Sequence, residues 1–221
     1  MRAMIRSTTV VAIHRGGRVV MAGDGQVTLG DEVVKSTAKK LRRVYNDQVL
    51  VGFAGSTSDA LALLTRFEAK LEQHHGDLTR SVTELGKDWR TDRVLRYLQS
   101  VLLVTDGRDT FLVSGSGDVV EPEEGVAAIG SGGGIAKAAA LALVRNTSLD
   151  ARSIAEQAMT IAAETCIYTN RAITYDEMAE PVSTSEPAPV VSPVEDQAIA
   201  KTTGELDTAA PAKTKPKKRR G

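Results

Sequence analysis

The stretch TTVVAIHRGGRVVMAGDG, residues 8–25, carries the strongest fold signal in the sequence. Each half is rich in apolar and β-branched residues, and the pair Gly16-Gly17 separates the halves. This pattern is typical of two antiparallel strands joined by a tight turn. The sequence therefore predicts a β-hairpin at the beginning of the folded part of the chain.

Two helices are predicted downstream of this hairpin. Residues 58–76 show helical periodicity, with Ser58 as the N-cap and Gly76 as the stop signal. A second helix is predicted over 78–99, interrupted or bent around Gly86.

Strands and helices then alternate in groups along the rest of the chain. The remaining predicted elements are strands within 41–55, strands at 101–106, 110–115 and 126–130, helices at 134–145 and 151–165, and a last strand near 172–176. Groups of strands alternating with helix pairs favour stacked antiparallel sheets covered by helices, an α+β layered fold.

The composition excludes several classes of protein. The 221 residues are 42% hydrophobic and 25% charged, and no apolar run reaches the ~18–20 residues of a membrane-spanning helix. The first seven residues lack the apolar core of a secretion signal. The single cysteine, Cys166, excludes an internal disulfide framework and fits a reducing compartment. We therefore expect a cytoplasmic protein that spans no membrane.

Charge is unevenly distributed although the formal net charge is zero. Residues 181–221 hold seven basic and five acidic residues, and their Pro, Ala, Ser, Thr, Lys and Glu bias predicts a disordered tail with a basic end. Residues 1–7 carry +2, so residues 8–180 carry −4. A mildly acidic body gives no reason to expect nucleic-acid binding.

Two common kinds of site are poorly supported. The glycine cluster GSGGG (130–134) precedes a predicted helix but lacks the Lys-Ser/Thr of a phosphate-binding P-loop, which favours a turn that needs small residues beside another segment. A Ser-His-Asp triad would have to use one of only three histidines, His14, His74 and His75.

Thr8 and Thr9 open the first strand after a seven-residue leader. A hydroxyl is a weak nucleophile that needs a base within hydrogen-bond reach. If the chain is cut between Ser7 and Thr8, the freed α-amine of Thr8 could be that base, because such amines titrate near ~7.7–8.0. Taken alone, however, two threonines at this position are an ordinary strand start.

Long motifs give these threonines a context. Residues 8–55, GKDWRTDR (86–93), SGSGDVVEPEEGVAAIGSGG (114–133) and ETCIYTN (164–170) resemble the HslV (ClpQ-type) peptidases, the bacterial relatives of proteasome β-subunits. The resemblance extends over about 8–178 without a large gap. It implies an N-terminal-nucleophile hydrolase with a four-layer αββα fold, which agrees with the predicted element order.

The resemblance also implies roles for individual residues. Thr8 matches the N-terminal threonine nucleophile, and Asp24 and Lys40 match the acid and the lysine that surround it. Ser131 matches a serine that hydrogen-bonds near the threonine amine. Gly52 matches the residue whose backbone N–H forms the oxyanion hole, where a glycine lets substrate approach the backbone closely.

A monovalent cation, commonly sodium, is bound by backbone carbonyls in the matching loop of the family. Here the implied ligands are Ala163, Cys166 and Thr169. The family usually has glycine at the first position, so Ala163 is tolerable only where the backbone does not need a positive φ.

The resemblance further implies partners and a domain plan. The chain has no Walker motif, so it is expected to bind no nucleotide. The resemblance implies that copies of the chain form two stacked hexameric rings (a dodecamer). A separate HslU-type AAA+ ATPase is expected to dock on these rings and to hydrolyse the ATP. Residues 1–7 would be a removed propeptide and 8–180 the peptidase domain. Two other interpretations remain open: another N-terminal-nucleophile amidohydrolase, or a non-catalytic proteasome-like scaffold subunit.

Overall fold

Eight of the twelve described strands lie before residue 110 in the computed structural model, which describes residues 5–6, 8–91, 100–114 and 117–181. In chain order its strands are β1 Ile5–Arg6, β2 Thr9–Arg15, β3 Arg18–Gly23, β4 Val27–Leu29, β5 Glu32–Lys35, β6 Leu41–Val44, β7 Val49–Gly55, β8 Ser100–Thr105, β9 Thr110–Val113, β10 Val119–Val120, β11 Val126–Gly130 and β12 Thr174–Ala179. Its α-helices are α1 Thr57–Gln73, α2 Leu78–Thr91, α3 Gly133–Asn146 and α4 Ala151–Thr165. The predicted tail beyond Pro181 lies outside the described residues.

The first hairpin forms the centre of a four-stranded sheet. Strands β2 and β3 pair around Gly16-Gly17, as predicted, and the sheet order is β11–β2–β3–β12, all antiparallel. Successive side chains of a strand point to opposite faces. Val11 and Ile13 therefore pack against α3 and α4, while Val10 and Ala12 face the other sheet. Both faces are buried, which explains the nearly unbroken apolar run in the sequence.

The second sheet has five strands in the order β10–β9–β8–β7–β6. In β7, Val51 and Phe53 pack against α1 and α2, whereas Leu50 and Ala54 face the first sheet. The layers are thus helices, sheet, sheet, helices. The predicted α+β, four-layer αββα architecture is confirmed.

Several predicted boundaries need correction. Helix α1 begins at Thr57 with Ser56 as its N-cap, so Ser58 lies inside the helix, and the helix ends at Gln73, before Gly76. Helix α2 runs through Gly86 without the expected interruption. The lack of a side chain at Gly86 instead lets the Gly117 segment pack closely against the helix, since a Cβ there would lie 2.9 Å from the carbonyl oxygen of Gly117. The predicted continuation of α2 over 92–99 lies outside the described residues.

A small third sheet was not predicted. Strands β4 and β5 form a hairpin, and β1 of the leader pairs with β4 in antiparallel register, Ile5 opposite Leu29 and Arg6 opposite Thr28. All four residues of β5 are exposed, so no alternation of buried and exposed positions marks the strand in the sequence. Within the described part of the chain, no helix is long and apolar enough to cross a membrane.

Candidate active site

A buried ion pair lies where the two main sheets meet. Asp24 directly follows β3, Lys40 directly precedes β6, and Lys40 Nζ lies 2.7 Å from Asp24 Oδ1, with 3% and 0% of the two side chains exposed. Asp24 Oδ1 also accepts the Thr9 amide at 2.7 Å, and Oδ2 accepts the amides of Gln26 at 3.0 Å and Asn170 at 3.3 Å. The carboxylate is therefore fixed by charge-assisted hydrogen bonds from three segments of the chain.

Lys40 is held as tightly as its partner. Its Nζ donates to Asp24 Oδ1 and to the carbonyl oxygen of Gln26, both at 2.7 Å. Burial lowers the pKa of Lys40 below its ordinary value, and the Asp24 carboxylate opposes that shift. Two of its three N–H donors are used in this way, and the third has no partner among the described residues. Lys40 can therefore donate to a group in the adjoining cavity.

Thr8 lies at the wall of that cavity. The residue is 3% exposed, and its carbonyl oxygen accepts the Ser131 amide at 2.8 Å. Thr8 has a φ of +134°, a conformation that β-branched residues rarely adopt. Thr8 and Lys40 both line a cavity of about 640 Å³. The nucleophile and the ammonium implied by the resemblance thus share one solvent-accessible space.

The cavity combines an apolar lining with a cationic wall. Apolar lining side chains come from the small third sheet, the connection before β6, the second main sheet and α1, namely Val27, Val34, Ala38, Phe53 and Leu61. Lys35, Lys39 and Arg42 line it as well and are exposed. A concave, largely apolar space with a few fixed polar groups is the usual form of a ligand site.

The glycine cluster packs against the threonines, as the sequence suggested. A Cβ at Gly130, which has a φ of +89°, would collide with the carbonyl oxygen of Thr8. A Cβ at Gly132 would collide with Thr9 Oγ1, which accepts the Gly132 amide at 3.0 Å. Ser131 contacts Thr8 through its backbone N–H, while its side chain is exposed. The structure thus brings the Ser131 backbone to Thr8, and among the described residues the Ser131 hydroxyl has no hydrogen-bond partner.

Gly52 does not lie at the cavity, contrary to the prediction. It occupies the middle of β7, and a Cβ there would meet Val10 Cγ1 at 2.6 Å, between the two sheets. The Phe53 amide points toward β6, where it donates to the Lys40 carbonyl at 3.2 Å. Because amides alternate sides along a strand, the Gly52 N–H points the other way, toward β8. Gly55 shares the alternation of Phe53 and lines the cavity with Thr8, so it is better placed as the backbone donor.

The three implied cation ligands lie at and just after the end of α4. Ala163 is inside the helix, so its backbone has a helical, negative φ and alanine is compatible with the position. The last carbonyls of a helix lack intrahelical donors and carry partial negative charge. Cys166 follows the helix directly, and its carbonyl accepts the Thr169 amide at 3.1 Å. A set of carbonyl oxygens at a helix C-terminus suits a hard cation.

Some contacts in the site could not be inferred from the sequence. Thr9 Oγ1 and Thr169 Oγ1 are 2.7 Å apart, which ties the first strand to the loop after α4. Asn170 contacts the Asp24 segment from the same loop. Both lie within quoted motifs, yet no pattern in the sequence indicates that the loop and the strand meet.

Comparisons with known proteins identify the family of the chain. The proteasome subunit family matches residues 4–176. The ATP-dependent protease subunit HslV of Syntrophobacter fumaroxidans is 56% identical over 175 residues, which cover 79% of this chain and 98% of the relative. The corresponding HslV subunit of Treponema denticola is 54% identical over 178 residues, covering 80% and 100%.

Solved structures give the same result. Eukaryotic HslV from Trypanosoma brucei superposes with a TM-score of 0.75 at 44% identity, covering 77% of this chain and 99% of that one. Thiobacillus denitrificans BPH shares the fold, with a TM-score of 0.62 at 24% identity over 77% and 97% of the two chains. The chain therefore belongs to the proteasome family. Within that family it is a protease subunit of the HslV type.

Proposed function

We propose that the chain is a threonine endopeptidase subunit with Thr8 as its N-terminal nucleophile. The observation that supports this most strongly is the buried Lys40–Asp24 pair, which shares a cavity with Thr8. Desolvating two charges is costly, so a buried pair beside a cavity is characteristic of functional sites. This pair also argues against the non-catalytic scaffold.

Removal of residues 1–7 supplies the base that the site lacks. With the leader attached, the Thr8 nitrogen is an amide without basic character. The positive φ of Thr8 costs of the order of 1–3 kcal/mol, and cleaving the Ser7–Thr8 bond removes that constraint because an N-terminal residue has no preceding carbonyl. Before cleavage, Ile5–Arg6 lies along β4, whose Val27 lines the cavity. Cleavage therefore also frees that edge of the cavity.

The freed residues then perform acyl transfer. The Thr8 α-amine takes the proton from Oγ, and Oγ attacks the peptide carbonyl carbon. The Lys40 ammonium keeps the pKa of the amine low and stabilises the forming alkoxide. The Gly55 N–H donates to the oxyanion. The amine side of the substrate leaves with the proton, and water hydrolyses the Thr8 ester to regenerate the hydroxyl.

A monovalent cation, Na⁺ by preference, would be held by the carbonyls of Ala163, Cys166 and Thr169. When bound, it would supply positive charge at the C-terminus of α4 and neutralise the carbonyls there. The loop that would hold the cation is linked to the site by hydrogen bonds, since Thr169 contacts Thr9 and Asn170 contacts Asp24. An ordered loop would therefore hold these two site residues in place.

The assembly and its partner are proposed from the relatives. The named relatives are subunits of an ATP-dependent protease. These names support an HslU-type AAA+ ATPase partner that delivers unfolded proteins. From the family resemblance of the sequence we further propose a dodecamer of two stacked hexameric rings and a cytoplasmic location. A chamber that encloses the cavity would keep folded proteins away from the nucleophile.

Substitutions at Thr8 test the proposal. Thr8→Ala should abolish cleavage of a fluorogenic peptide, whereas Thr8→Ser should retain part of it because it keeps the hydroxyl and the amine. Thr9→Ala should lower turnover without abolishing it. Thr160→Ala, on the exposed face of α4, is the matched control and should match wild type. Peptide turnover by Thr8→Ala would refute the proposal, and cleavage only of small amides would favour the amidohydrolase interpretation.

A further inference from the structure

Asn170 makes four hydrogen bonds, three of them with the segments that carry the ion pair and one within its own loop. Its Nδ2 donates to the Ser36 carbonyl at 2.9 Å, and its Oδ1 accepts the amides of Gly25 and Ala172, both at 3.1 Å. Its own amide donates to Asp24 Oδ2 at 3.3 Å. One side chain thus joins three separate segments of the backbone.

Residues 36–40, which end in Lys40, form a connection without helix or strand between β5 and β6. Outside regular structure, the position of a backbone segment depends on a few individual contacts. The Ala38 amide donates to the Gly25 carbonyl at 2.9 Å. A Cβ at Gly25 would collide with the Ser36 carbonyl oxygen, so the two segments are in direct contact.

The chemistry of Asn170 fits this junction. Its planar amide offers a donor to Ser36 and an acceptor to Gly25 at the same time. A carboxylate could accept from Gly25 but could not donate to Ser36. An alanine could do neither. The connection is otherwise held by the Ala38 amide on the Gly25 carbonyl, by the Phe53 amide on the Lys40 carbonyl and by the two bonds of Lys40 Nζ. None of these contacts fixes the connection to the loop after α4, so losing the Ser36 bond would let the segment shift relative to that loop and to Asp24.

We infer that Asn170 is a positioning residue for catalysis: it fixes the segment 36–40, and with it the Lys40 ammonium, against Asp24 and the cavity wall. The inference rests on the proposed function. A misplacement of about 1 Å in a catalytic group can cost ~10²-fold in rate. Asn170 itself touches neither the cavity lining nor Thr8 in the described contacts, so its effect must pass through Lys40 and Asp24.

Two variants and one matched control test the inference. Asn170→Ala removes both side-chain functions, Asn170→Asp keeps the acceptor and removes the donor, and Asn146→Ala deletes an exposed amide at the end of α3. Each protein is measured as assembled enzyme, with active sites titrated by a threonine-directed inhibitor and the N-terminus checked by intact mass.

For Asn170→Ala we expect kcat per titrated site to fall about 10- to 100-fold while KM changes less than about twofold. Affinity for a peptide boronate, which forms a tetrahedral adduct on the nucleophile, should fall in step with kcat. Asn170→Asp should lose a similar factor, and its acidic activity limb should move to higher pH because a second carboxylate favours the protonated amine of Thr8. Asn146→Ala should match wild type in every measurement.

The inference is overturned if Asn170→Ala keeps wild-type kcat and boronate affinity per titrated site, or if it loses activity only in proportion to its loss of folded, assembled sites. Failure of the proposed function gives a different result. In that case Thr8→Ala would still turn over peptide, whatever the Asn170 variants do.

Discussion

The ion pairs of this protein differ in one property above all, which is burial. Lys40 and Asp24 have side chains that are 3% and 0% exposed. Arg145 of α3 and Glu124 of a short 3-10 turn, Glu123–Gly125, have side chains that are 57% and 43% exposed. Both pairs are in hydrogen-bond contact. Water screens the charges of the exposed pair, so that pair contributes little to stability. The buried pair is screened much less, and burying its two charges costs desolvation free energy.

The difference indicates what each pair does. A buried pair is expensive, and an apolar replacement of similar volume is often as stable. The Lys40–Asp24 pair is therefore explained by what its charge does at the cavity. The exposed pair needs no such explanation. Replacing members of each pair separates these two cases.

Removal of the Lys40 ammonium should have the largest effect, and that effect is on catalytic activity. Lys40→Ala should lower kcat by about 10³-fold or more, because the amine of Thr8 becomes harder to deprotonate and the alkoxide loses its support, each worth roughly 2–4 kcal/mol. The measurement is peptide turnover on protein whose N-terminus has been verified as Thr8. Lys137→Ala, an exposed lysine of α3, is the control and should be fully active. Near-normal turnover of assembled Lys40→Ala would refute its role.

The second largest effect is expected for the stability of Lys40→Ala. Lys40→Ala leaves the Asp24 carboxylate buried without its counter-charge, so we expect the free energy of unfolding to fall by about 3–5 kcal/mol. Adding Asp24→Asn should restore part of this loss, since the remaining group is neutral. Urea unfolding at one fixed protomer concentration measures both variants. If the double variant is less stable than Lys40→Ala, the buried carboxylate is not the source of the instability.

The pH dependence should distinguish activity from stability. Burial lowers the pKa of Lys40 in the folded protein, so the ammonium and its activity are present below that folded pKa and are lost above it. Between the folded pKa and the ordinary value of 10.5, the unfolded chain holds a proton that the folded chain has released. The contribution of Lys40 to stability therefore rises with pH in that window while activity falls.

Comparison with Lys40→Met isolates this contribution from other groups that titrate at alkaline pH. The difference in unfolding free energy between wild type and Lys40→Met should shift in favour of wild type as pH rises. A difference that shifts against wild type would mean that the pKa of Lys40 is raised.

The smallest effect is expected at the exposed pair. Arg145→Gln removes one charge from a solvated contact, so unfolding midpoint, ring assembly and turnover should all equal those of wild type within error. Added salt should change the unfolding midpoint by the same amount in wild type and in Arg145→Gln. A clear loss of stability would show that this surface contact is coupled to the fold more strongly than its exposure suggests.

The fold could be predicted largely because its signals are local. The hairpin at Gly16-Gly17 and the helix capped by Asp150, which accepts the Ser153 amide at 2.7 Å, depend on neighbouring residues. The β4–β5 hairpin was missed because its second strand is wholly exposed and shows no alternation. The predicted N-cap Ser58 was wrong by two residues, since α1 is capped at Ser56. The interruption expected at Gly86 was wrong because packing against Gly117 accounts for that glycine within a continuous helix.

The candidate site depended on resemblance and on distant contacts. Nothing in the spacing of Asp24 and Lys40 shows that they meet, and the motif match supplied that pairing. Gly52 was misassigned because the direction of a backbone N–H follows from strand pairing, which places Gly52 toward β8 and Gly55 toward the cavity. Asn170 was missed because its partners lie 134 to 146 positions away in the chain.

The intact mass of active enzyme shows whether Thr8 is the N-terminal residue of the working site. Protein is purified by its peptidase activity, its sites are titrated, and the mass of the titrated chain is measured. We expect a chain that has lost Met1–Ser7 and begins at Thr8, with the inhibitor attached to that residue. A fully active chain that retains Met1 would contradict the role of the Thr8 α-amine, because Thr8 would then have no free amine and the site no base.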